Sequence, residues 1–128
     1  MRSRQKALLV ADLARSKKAE DIVVLDVRKI ANITDFFIIL TAGSTRRAQT
    51  ITDNIENGLR KAGESFSSIE GYQEARWILV DAYDVVAHVF TGDMRRFYNL
   101  EGLWGDAPRV RICQKKRKTR SKKISKRK

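Results

Sequence analysis

The chain has 128 residues, enough for one domain with its own core, and its 42% hydrophobic and 33% charged residues are those of an ordinary soluble protein. The net charge of +12 is carried unevenly: residues 109 to 128 hold twelve Lys and Arg and no acid, while residues 1 to 108 hold fifteen of each sign and sum to zero. No apolar run approaches the ~18 residues of a membrane span. The apolar patch within Met1 to Ala11 is too short for a signal peptide, and one Cys with one His makes neither an internal disulfide nor a zinc site. These features lead to the expectation of a cytoplasmic protein with one neutral domain over 1–108 and a basic tail over 109–128.

In chain order, residues 5–19 are predicted helical, because Ala7, Val10, Ala11 and Ala14 repeat at the spacing of one helix face. Residues 21–27 and 35–41 are short, β-branched and apolar on both faces, as strands inside a helix-covered sheet are. Residues 44–62 are the clearest helix: Ser44 or Thr45 serves as N-cap, Ala48, Ile51, Ile55, Leu59 and Ala62 form a stripe, and Gly63 supplies the left-handed stop. A short edge strand is expected over 66–70. Residues 76–80 and 84–90 are expected as an antiparallel hairpin across the short link between Asp81 and Asp84. Residues 93–103 read as a short helix or two helical turns, and Gly105 and Pro108 close the globule. The tail has few apolar residues and is expected to lack structure on its own. The class is α/β, with a mixed sheet of about five strands and flanking helices.

Few residues point to catalysis. His88, the only histidine, lies in an apolar strand with no Ser or Cys nucleophile near it in sequence. Gly43-Ser44 at a strand-to-helix junction offers backbone amides to an anion, as the Gly-Ser element of nucleotidyltransferases does. Those enzymes also place paired carboxylates along a following strand to hold magnesium. Here Asp53 and Glu56 are on the helix and Asp81 and Asp84 flank a turn, so the metal half is missing and Gly43-Ser44 reads as a tight turn plus cap. No catalytic residue and no cofactor is expected. Arg95-Arg96-Phe97-Tyr98-Asn99-Leu100-Glu101-Gly102-Leu103-Trp104 is rich in the residue types that anchor interfaces. Two uses stay open for it, packing onto the sheet or meeting a partner. The tail, with Lys115, Lys116, Arg117, Lys118, Arg120, Lys122 and Lys123 in close succession, suits phosphate neutralisation without base reading. If half of its cations met phosphates, affinity would fall roughly several hundredfold between about 50 and 200 mM salt.

Taken together, these segments resemble one family, the ribosomal silencing factor or Iojap-like proteins. The resemblance runs from Asp21-Ile22 through Ile33-Thr34-Asp35-Phe36-Phe37, Thr41-Ala42-Gly43-Ser44-Thr45-Arg46-Arg47, Glu70-Gly71, Trp77-Ile78-Leu79-Val80-Asp81 and Asp84 to Phe90, and ends in Arg95 to Trp104. It covers residues 4–105 and leaves the tail aside. It implies a nucleotidyltransferase-like fold without catalysis. It also implies binding to the large ribosomal subunit through ribosomal protein L-fourteen, which hinders joining of the small subunit under nutrient limitation. Organelle relatives in large-subunit assembly and homodimers among members belong to the same implication. Carried onto this chain, the contact surface comprises Trp77, Asp81, His88, Met94, Tyr98, Leu100, Glu101 and Trp104. The apolar members act as anchors, and the two acids face a cationic ribosomal protein. The alternatives are a nucleotidyltransferase-like phosphate-binding enzyme built on Gly43-Ser44, and a tail-driven RNA-binding protein in ribosome assembly.

Overall fold

The computed structural model describes residues 1–32, 34–99, 102, 104, 105 and 107–112, with the side chains of Phe97 and Tyr98 excepted. The elements are α1 (Ser3–Arg15), β1 (Glu20–Asp26), β2 (Phe36–Ala42), α2 (Thr45–Lys61), β3 (Ser68–Glu70), β4 (Trp77–Asp81), β5 (Val85–Thr91), α3 (Gly92–Tyr98) and β6 (Arg109–Val110). The strands form one six-stranded sheet in the order β3-β4-β5-β2-β1-β6. Only β2 and β5 run parallel, and every other neighbouring pair is antiparallel. The sixth strand comes from residues that charge counting assigned to the tail. Arg109 and Val110 pair with Leu25 and Val24, and Ile112 packs against the core, so the folded part continues past Pro108.

Strict alternation divides the central strands between two cores. Phe36, Ile38 and Leu40 of β2, Val85, Ala87 and Val89 of β5, and Ile78 and Val80 of β4 point to one side. There they meet Ala7, Val10, Ala11 and Ala14 of α1 and Ala48, Ile51, Ile55 and Leu59 of α2. Burying each such aliphatic side chain contributes about 1.5–3 kcal/mol. The opposite parity, Leu25, Phe37, Ile39, Val86 and Phe90, forms a smaller cluster that no long helix among the described residues covers.

Helix α2 follows its expected signals closely. Ser44 Oγ accepts the Arg47 amide at 3.0 Å, and Gly63 takes a φ of +75° just past the end. Ala62 is the exception: it falls at the C-cap and is exposed, one turn beyond the last residue that meets the sheet. Helix α1 is shorter than expected at its C-terminus, stopping at Arg15, where a turn over 16–18 passes into β1. Lys6, which a helix face rule would leave in water, is 4% exposed. Its ammonium donates to the carbonyls of Ala82 and Ser65 at 2.8 and 3.2 Å and to Asp84 at 3.2 Å, with Glu64 at 3.7 Å. Such pairing is what permits a lysine to be buried.

Candidate partner-binding face

The second face of the sheet gathers the aromatic residues. Register sets Trp77 opposite Phe90, and Leu79 opposite His88, which is itself beside Ile39. All project to the side away from α1 and α2, and Phe37 joins them from β2. Trp77 and Phe90 stack with centroids 5.1 Å apart, while Phe37 meets His88 and Trp104 edge-on, each at 5.2 Å. These offset and edge-to-face contacts suit rings with a negative face and a positive edge.

His88 organises the cluster. The indole N–H of Trp77 donates to His88 Nδ1 at 3.2 Å, so the neutral ring carries its proton on Nε2. Burial lowers the His88 pKa from 6.5 to about 4, and the ring is uncharged at neutral pH. Nε2 is itself buried and has no hydrogen-bond partner among the described residues. A buried donor without an acceptor costs about 1–3 kcal/mol.

Met94 of α3 and Trp104, in the turn before β6, are half-buried against this cluster, and Arg76 Nη2 approaches the Met94 sulfur at 3.6 Å. Asn99, in the left-handed region, ends α3, and Gly102 is again helical. This matches the expected pair of helical turns. Gly71 has a φ of +80°, and a Cβ there would collide with the Trp77 carbonyl oxygen, so glycine is what lets this turn lie against β4.

Of the eight expected contact residues, Trp77, His88, Met94 and Trp104 come together in this way. Asp81 has the same strand parity as Trp77 but sits at the far end of β4, where its carboxylate accepts the Tyr83 amide at 3.0 Å and caps the turn. The Tyr98 side chain, Leu100, Glu101 and the cationic tail lie outside the described residues. Phe37 and Phe90 belong to the cluster and went unnoticed in the sequence, because their strands are apolar at both parities and nothing separates the two faces. At the Gly43-Ser44 junction the hydroxyl is engaged as the helix cap. Among the described residues no group of three or more His, Cys, Asp or Glu is placed to hold a metal ion. No helix among them is long and apolar enough to cross a membrane.

Comparison with known proteins places this arrangement. The sequence profile described as "Ribosomal silencing factor during starvation" matches residues 1–128. The chain belongs to the ribosomal silencing factor family. This family member is 44% identical over 106 residues to the ribosomal silencing factor RsfS of Bacillus subtilis, covering 81% of this chain and 90% of that protein. It is 42% identical over 104 residues to RsfS of Halalkalibacterium halodurans, covering 81% and 89%. A crystal structure of a Chromobacterium violaceum protein superposes with a TM-score of 0.80 at 31% identity, over 82% of this chain and 88% of that one. Family membership and fold thus agree with the expected mixed α/β class, with six strands in place of about five.

Proposed function

We propose that this ribosomal silencing factor binds the large ribosomal subunit through ribosomal protein L-fourteen and thereby blocks joining of the small subunit when nutrients are scarce. The reading places the contact on the face of Trp77, His88, Met94 and Trp104, extended by Tyr98, Leu100 and Glu101. One observation carries the choice of face: Trp77, Met94 and Trp104 stand half-buried around a neutral His88, in an aromatic cluster that no long helix among the described residues covers. A partner laid over it would remove half-exposed indole surface from water. Mechanism then requires no catalysis. The bound domain occupies space that the small subunit needs, and the inhibition scales with occupancy. The cations of the C-terminal segment add electrostatic attraction for ribosomal RNA, which raises the local concentration of the domain at its site.

Gradient sedimentation with purified subunits tests the reading. The protein is expected to comigrate with the large subunit and to reduce the fraction of joined particles. Trp104→Ala is expected to weaken that binding at least tenfold, as truncation of an interface anchor does, while the thermal transition persists. Comigration with neither subunit, or joining left unaffected at saturating protein, would sink the proposal.

A further inference from the structure

A second site lies at the carboxyl end of the parallel pair. There β2 contributes Thr41, one residue before its end, and β5 passes into α3 at Gly92, and a cleft of about 980 Å3 opens between α1, β1, α3 and β6. Four arginines from three separate elements line it: Arg15 ending α1, Arg95 and Arg96 on α3, and Arg109 on β6. Arg96 and Arg109 are exposed. Against these stand two acids, Glu20 and Asp21, so the lining is net cationic although residues 1–108 sum to zero.

Arg15 is held by the Asp12 carboxylate at 2.9 Å, and Arg95 is placed by the backbone. The β1–β2 register shifts between Glu20 and Val23, and Asp21 takes a φ of 50°. This bulge turns the Asp21 carbonyl to accept Arg95 Nη1, which also donates to Thr41 Oγ1 at 2.9 Å. Arg96 folds back over Gly92, where a Cβ would lie 3.8 Å from its Nη1. Among the described side chains that line the cleft none is aromatic, so none of them is suited to stack a base. Arg109 is also the first of the twelve cations that run to residue 128 without an acid.

We infer that this cleft seats a stretch of RNA phosphodiester backbone, read by charge and not by base. Guanidiniums suit phosphate oxygens. The run of cations that follows Arg109 in the sequence favours a polymer over a single small anion. The inference extends the reading of the tail to folded residues, and the two separate experimentally because Arg15 and Arg96 lie outside the tail.

The test is fluorescence anisotropy of the full chain with a labelled, unstructured RNA of about 20 nucleotides, longer than the single-strand site of one small fold. It is run across salt from about 50 to 200 mM. Arg15→Gln/Arg96→Gln is expected to weaken binding about tenfold and to lower the slope of log affinity against log salt by about 1.4, the loss of two single-strand phosphate contacts. Arg28→Gln/Arg60→Gln removes the same charge from exposed sites outside the cleft lining and serves as control. Matching thermal transitions establish that both variants fold. If the cleft variant behaves as the control does, the tail alone binds RNA and the inference is overturned. ATP and inorganic pyrophosphate form the second arm. Binding of either as tightly as the RNA, abolished in the cleft variant, would make this a small polyphosphate site and overturn the RNA assignment.

Discussion

His88 shows how one side chain couples packing to recognition. Its ring is 6% exposed, wedged among Phe37, Trp77 and Phe90, and uses one nitrogen to fix the Trp77 indole. Between pH 6.5 and about 4 the unfolded chain binds a proton that the folded chain refuses. Stability therefore falls as pH drops through that window, by about 3 kcal/mol in total at 1.36 kcal/mol per pH unit. The Arg28 guanidinium beside Asp26 and the Thr91 hydroxyl beside Asp93 hold those carboxyls below the ordinary 3.8, so their contributions are lost lower on the scale. His88→Phe is expected to abolish the loss between pH 6.5 and 4 in urea unfolding while weakening binding to the large subunit at pH 7. A slope that persists in the variant would assign it to another group.

At the scale of elements, the sheet is covered unequally. Helices α1 and α2 close one face, and α3 with the turn at Trp104 only partly shields the other. Lys6 fastens the closed side by joining α1 to the segment after α2 and to the β4–β5 turn. Lys6→Met keeps the volume but leaves the Ala82 and Ser65 carbonyls without their donor. Because Asp84 is partly solvated, the expected loss is about 2 kcal/mol, below the range for a fully buried pair. Equilibrium urea unfolding measures it, with the slope unchanged. Little or no change would mean that water replaces the ammonium. The same lysine is remote from the aromatic face, so subunit binding by the folded variant is expected to match that of the unaltered protein.

Over the whole molecule, charge and shape are divided between two parts. The described residues carry the proposed partner face, and most of the excess cations follow them in sequence. A chain ending at Ile112 retains β6 and the core contact of Ile112, which one ending at Pro108 would lose. That shortened protein is expected to bind the large subunit still, with weaker affinity at low salt and a flatter salt dependence. Parallel sedimentation at two salt concentrations provides the measurement. Complete loss of binding with an intact fold would move the function to the tail.

Much of this was determined by the sequence alone. Helix α2 was legible because its stripe, cap and terminal glycine are local signals, settled within a few residues of one another. Five strands, the mixed class and the segregation of charge followed from runs and counts of the same kind, and the blocks from Asp21 to Trp104 carried the family resemblance. Only tertiary structure decided that β2 and β5, separated by the whole of α2 and the β3–β4 hairpin, run parallel. It also drew β6 out of the basic segment, because the edge of β1 has backbone groups that another strand can satisfy. Apolar runs such as Phe36–Ala42 specify a buried strand without saying which parity meets the helices. The split that leaves Phe37, His88 and Phe90 on the lightly covered face was therefore invisible until the helices were placed. The burial of Lys6 and the convergence of Arg15, Arg95, Arg96 and Arg109 have the same cause: each depends on groups far apart in the chain, which no short-range pattern encodes.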